Sequence, residues 1–143
     1  MLKRVLLCLV AAAWVAGVGG AAEADSAARA KTMAGLWQGQ YHYPNNKRPP
    51  VPFTLRITAT GAANFDGAMS EPNTFGDKTS DVLTADAVGY ADEKGFVTFL
   101  KKYDGTGGVD HVVIYRGRLV GRDRVEGTWT VPDSWSGRFE MRR

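Results

Sequence analysis

Apolar and polar residues alternate along this chain in short runs. The first is Gly35-Leu36-Trp37-Gln38-Gly39-Gln40-Tyr41-His42-Tyr43, where Trp37, Gly39, Tyr41 and Tyr43 share one face of an extended segment and Gln38, Gln40 and His42 the other. The same period of two recurs in segments near 36–43, 51–58, 63–71, 82–90, 96–103, 110–119, 124–131 and 136–142, each bounded by turn residues. One face collects Trp37, Phe53, Leu55, Ile57, Phe65, Met69, Val97, Phe99, Val113, Tyr115, Val125, Trp129 and Phe139, and the opposite face is mostly polar. Half-buried antiparallel strands read this way. Gly39, Gly67, Gly89, Gly117, Gly127 and Gly137 fall among the aromatics on the inner face, which suits a strongly curved sheet, and closure removes the edges an open sheet would expose. The prediction is an all-β fold, an eight-stranded antiparallel up-and-down barrel over 35–143.

The expected connections alternate in character. Those after the second, fourth and sixth strands are short. Those after the first, third and fifth run Pro44–Pro50, Glu71–Asp81 and Asp104–Val109, and Pro132-Asp133-Ser134-Trp135 follows the seventh. In a meander, alternate loops share one end, so one end is tightly closed and the other is an elaborated mouth where a binding site is expected.

The N-terminus changes the picture of where the protein works. Lys3 and Arg4, an apolar run from Val5 to Val18 and small residues up to Ala24 form the pattern of a secretory signal peptide, with cleavage after Ala22-Glu23-Ala24 or after Gly20-Ala21-Ala22. About fourteen apolar residues are too few to span roughly 30 Å of hydrocarbon. The expected organisation is therefore a signal peptide at 1–24, a loose lead-in or helical turn at 25–34 and the barrel. The product is expected to be periplasmic or secreted, with no membrane span in the mature chain. Cys8, the single cysteine, follows bulky Leu7 and does not read as a lipidation site. Its loss with the signal leaves a domain without disulfides or thiol chemistry, held by its core alone. Removing Lys3, Arg4 and Glu23 leaves 16 basic and 14 acidic residues, a net charge of +2. These charges are interspersed, so no basic face for nucleic acid is present.

Gly35-Leu36-Trp37 near the start, an eight-strand meander and arginines at the end of the last strand resemble the calycin group of lipocalins, fatty-acid-binding proteins and avidins. The resemblance implies that Trp37 packs under Arg142 or Arg143 and closes the barrel, and that the barrel binds a small ligand. Gly127-Thr128-Trp129 is more similar to avidin than to lipocalin. Avidin's Trp-x-Asn biotin contact, however, reads Trp37-Gln38-Gly39 here, and the lipocalin cysteine pair has no counterpart.

Extending the inner face toward the mouth adds Tyr43, Glu71, Lys101, Tyr103 and His111, with Tyr41 and Tyr115 deeper. Inward Glu and Lys are costly unless paired. Two readings follow. In one, Phe99 and Trp129 help floor a pocket for a partly apolar or amphipathic ligand whose anionic head meets Lys101 or His111, with Phe75 as a lid. In the other, a Glu71–Lys101 pair and tyrosine hydroxyls plug the barrel and Phe75 merely packs down. Asp77, Asp104 and Asp110 match no calcium loop, and neither metal nor cofactor is expected. No catalytic residue is assigned; an isomerase or hydro-lyase using Glu71 and His111 is a minor alternative. On the outer face Phe96, Leu100, Val112 and Ile114 form an apolar patch suited to a homodimer or to an inhibitor module with a protein partner, unless residues 25–34 cover it.

Overall fold

The computed structural model describes Ala30 and residues 32–143. The expected signal peptide and most of the lead-in lie outside the described residues. Ala30, Thr32 and Met33 are helical and run directly into the first strand. Eight strands follow: β1 (Gly35–His42), β2 (Val51–Ala59), β3 (Asn64–Pro72), β4 (Val82–Ala91), β5 (Phe96–Tyr103), β6 (Val112–Val120), β7 (Arg124–Thr130) and β8 (Ser136–Arg142). Each pairs antiparallel with the next, and β8 returns to β1 through pairs such as Gly39 with Met141 and Tyr41 with Phe139, closing the barrel. The all-β, eight-stranded antiparallel barrel expected from the alternation is the fold.

The strand ends differ from expectation in one place that matters for the site. β6 begins at Val112, not near 110, so His111 lies in the connection before it. The cause is a turn at Thr106–Gly108, entered through Gly105 at φ +95° and passing Gly107 and Gly108 at φ +63° and +72°. Only glycines take that left-handed run without strain, and it delays the onset of pairing.

Trp37, Phe65, Phe99, Tyr115, Leu55 and Met141 are fully buried. The inner-face glycines leave no room for a ligand within the lower barrel, because neighbouring rings occupy their space. A Cβ on Gly39 would meet the Phe53 ring at 2.4 Å, and one on Gly89 would meet the Phe99 Cβ at 2.5 Å. Phe99 stacks flat on Tyr115 (4.6 Å, 7°), and Phe139 stands edge-on to both. Large and small residues interdigitate.

The end with the short connections is sealed by Trp37. Its indole N–H donates to the Met33 carbonyl (2.7 Å), and the Arg143 guanidinium lies 4.7 Å over its ring. Arg143 also donates to the carbonyls of Ala34 (2.9 Å) and Arg122 (2.7 Å), tying the end of β8 to the residue before β1 and to the β6–β7 turn. Of the two arginines, Arg143 is the one over the tryptophan.

Gly127 marks the tightest approach between strands, since a Cβ there would lie 2.0 Å from the Arg116 carbonyl oxygen. Gly127→Ala is expected to lower stability by about 1–3 kcal/mol or more, as overpacking does, read as a drop in the urea midpoint; an unchanged midpoint would contradict this packing.

Candidate functional site: an aromatic cup above a buried ion pair

Period-two alternation carries the inner face of each strand up to the mouth. There it places Tyr41 on β1, Glu71 on β3, Lys101 and Tyr103 on β5, Val113 and Tyr115 on β6 and Trp129 on β7. Lys101 and Glu71 are 1% and 3% exposed and form an ion pair. The Lys101 Nζ also donates to the Tyr103 hydroxyl (2.7 Å), which in turn donates to Glu71 Oε1, and Tyr41 donates to the same oxygen at 3.2 Å. Lys101 Nζ lies 4.1 Å from the centre of the Tyr103 ring and 5.5 Å from that of Tyr41. Among the described residues no buried side-chain nitrogen or oxygen lacks a partner. That completeness is what makes two buried charges tolerable.

The environment sets the protonation of these groups. Burial pulls the Lys101 ammonium below its usual range, partly opposed by Glu71. Burial, and then Glu71, push the Tyr41 and Tyr103 phenols far above theirs, and burial does the same to Tyr115. All three tyrosines stay protonated. Lys101 is paired as the structural reading expected: its ammonium faces Glu71 beneath the mouth.

Above this network lies a cup of about 370 Å³. One wall is Tyr43 with Trp129 (5.9 Å, 84°) and Trp135 (5.6 Å, 82°), all edge-to-face. Trp129 is fixed by its indole N–H, which donates to the His42 carbonyl (3.0 Å), and the Arg48 guanidinium rests on the rings of Tyr43 (5.4 Å) and Trp135 (5.8 Å). The opposite wall is Phe75, perpendicular to Tyr103 (5.9 Å, 87°), with His111 against both rings at 6.0 and 4.8 Å. Burial, reinforced by Lys101, holds the His111 imidazole below its usual pKa, so it is neutral at pH 7. Tyr41 and Tyr115 reach the cup from below.

The long connections that carry these walls are ordered by their own hydrogen bonds. Asn73 Nδ2 donates to the carbonyls of Asp77 (2.6 Å) and Ser80 (2.8 Å), while its Oδ1 accepts from the Gly76 N–H (2.7 Å). The Asp77 N–H donates to the Gly107 carbonyl (2.7 Å), joining two loops over the mouth. Asp77 accepts from Thr79, and Asp104 from Thr84 and Thr106, so these carboxylates serve the turns. Among the described residues no three potential ligands cluster to hold a metal.

Seven of the ten residues singled out from the sequence meet at the cup: Tyr41, Tyr43, Phe75, Tyr103, His111, Tyr115 and Trp129. Glu71 and Lys101 lie beneath it, and Phe99 sits deeper in the core on the far face of Tyr115. Phe75 packs down on Tyr103 and leaves 37% of its surface open. Arg48 and Trp135 were not anticipated, because nothing periodic places a loop residue. A larger depression of about 1000 Å³ lies along the outer wall by Leu36, Gln40, Pro52 and Glu140. The cup is the candidate site, because the aromatic side chains that alternation carries to the mouth converge on it.

No family model matches the chain, and no curated protein is significantly similar to it. Several solved structures share its fold. A redesigned β-barrel is 10% identical, with a TM-score of 0.67 covering 80% of this chain and 94% of that one. A de novo designed fluorescence-activating β-barrel is 11% identical (TM-score 0.63, covering 80% and 95%). A further redesigned barrel, described as bound to DFHBI, is 10% identical (TM-score 0.65, covering 80% and 98%). At this identity the likeness is one of fold, a closed β-barrel.

Lys101→Ala would leave Glu71 buried and unpaired, so it is expected to cost about 3–5 kcal/mol in urea unfolding, with a smaller loss when Glu71→Leu is added to Lys101→Met. Equal losses in the single and double variants would contradict the pairing.

Proposed function

We propose that this is an exported small-molecule-binding β-barrel whose site is the aromatic cup at the mouth. The observation that carries the reading is the cup itself: rings from four strands and four loops converge on one concavity, held open above a floor whose polar groups are already satisfied. Its volume sits at the small end of the range of ligand sites, about 300–1,000 Å³, and apolar walls with a few polar tips are the usual composition of such sites. The N-terminal sequence of charged, apolar and small residues supports export.

The isomerase or hydro-lyase reading has less support. Glu71 is committed to Lys101 and the tyrosines are held as phenols. His111, the remaining base at the cup, has no carboxylate orienting it among the described residues. Native mass spectrometry of the mature chain purified from its own host is expected to show a reproducible small-molecule adduct that is lost in Trp129→Ala. A bare mass under all gentle ionisation conditions would overturn the reading.

A second reading concerns the outer wall. Leu100, on β5, pairs with Val88 of β4 and Ile114 of β6, and with Phe96 it forms an apolar row in which Val88, Leu100 and Phe96 are 52%, 43% and 46% exposed. The described lead-in residues pack at Trp37 and leave this row open. The row fits a second copy of the chain, self-paired across a two-fold axis. Leu100→Glu is expected to convert a dimer into a monomer in sedimentation velocity; a wild-type chain that already sediments as a monomer would sink this reading.

A further inference from the structure

We infer that the ligand of the cup is a compact aromatic anion, and that Arg48 is the residue that selects it. This rests on the reading of the cup as a small-molecule site and adds the class of molecule it takes.

Charge comes first. Beneath the cup Glu71 and Lys101 cancel one another. His111 is neutral at pH 7. Among the described residues, Arg48 is the one ionised side chain that reaches the cup without a counter-charge. Its guanidinium is braced by the Tyr43 and Trp135 rings, and among the described residues no carboxylate or carbonyl meets its donors. Contact with ring faces engages no hydrogen-bond acceptor, so the N–H groups of the guanidinium stay available. An arginine held in this way is a prepared fork for a carboxylate, a sulfonate or another planar anion.

Shape then sets the rest of the molecule. The floor is closed by Tyr41, Tyr103 and the ion pair below them, so an extended alkyl chain has no bore to enter. The walls offer perpendicular rings on both sides, Tyr43 with Trp129 and Phe75 with Tyr103. Such walls receive a flat ring system by edge-to-face and stacked contact, with ring centres about 4.5–7 Å apart. One or two fused rings with an acidic group directed at the rim satisfy both constraints.

Isothermal titration with three matched probes tests this: 2-naphthoate, 2-naphthamide and 2-naphthyltrimethylammonium. Naphthoate is expected to bind at least about fivefold more tightly than naphthamide, a modest ratio because Arg48 is solvent-exposed. The advantage should shrink as ionic strength rises. Arg48→Gln is expected to bring naphthoate down to the naphthamide value, and Arg48→Lys to restore part of the difference. Arg48 lies on an exposed loop, and an unchanged amide NMR spectrum away from that loop checks that the variants fold. Equal binding of naphthoate and naphthamide by the wild type would overturn the anion preference while leaving the cup as a small-molecule site. So would tightest binding of the ammonium probe, since the rings would then be a cation cage. A preference that persists in Arg48→Gln would overturn the assignment to Arg48. Failure of all three probes to bind would overturn this inference together with the cup reading on which it rests.

Discussion

Two opposite charges taken out of water set the terms for the upper half of this barrel. Glu71 and Lys101 are each nearly inaccessible, and an isolated charge at that depth is untenable. The surrounding side chains answer that demand. Lys101 and Tyr103 lie two residues apart on β5, so both point inward, and Tyr41 approaches from β1 across the barrel. Tyr103 is the hinge of the arrangement: its hydroxyl accepts from the lysine and donates to the carboxylate, while one side of its ring supports Phe75 and His111. The pair is thus a floor as well as a plug. It closes the aromatic core from above and gives the loops a rigid surface on which to build walls.

The two ends of the barrel solve the same closure problem with different chemistry. At the end with short turns a single tryptophan is capped by an arginine and a backbone carbonyl. At the mouth the closure sits deeper, at the ion pair, and the rings above it stand edge-on to one another. A cup results because the floor lies below the rim and because Trp129 is fixed to the His42 carbonyl instead of falling inward.

Most of this was legible in the chain. Period-two alternation broken by turn residues located all eight strands, because one-sided burial leaves that imprint wherever a sheet has a wet face. The inward Glu and Lys announced themselves as requiring partners. Whether the glycines opened a cavity or were filled by facing rings could not be read from alternation, since it depends on stagger between strands; the close approach of Phe53 to Gly39 is a property of the closed barrel. The mouth was least legible. Asn45, Asn46 and Asp133 take left-handed backbone angles (φ 57°, 52° and 57°), and those turns fold Arg48 and Trp135 back over Tyr43. Asn and Asp tolerate that conformation, but many other turns use them as well, so a side chain two residues beyond such a turn has no direction until the fold exists.

The proposed division of labour at the mouth is between a silent charged floor and a receptive aromatic cup. Amide and indole NMR of the mature chain, titrated with a panel of small aromatic fragments, tests it most directly. The account predicts concerted shifts at the Trp129 and Trp135 indoles and at His111, with the deeper Phe99 and Trp37 signals still and the Lys101–Glu71 pair intact. Shifts confined to the outer wall, or fragments that displace Lys101 from Glu71 and enter the core, would contradict it.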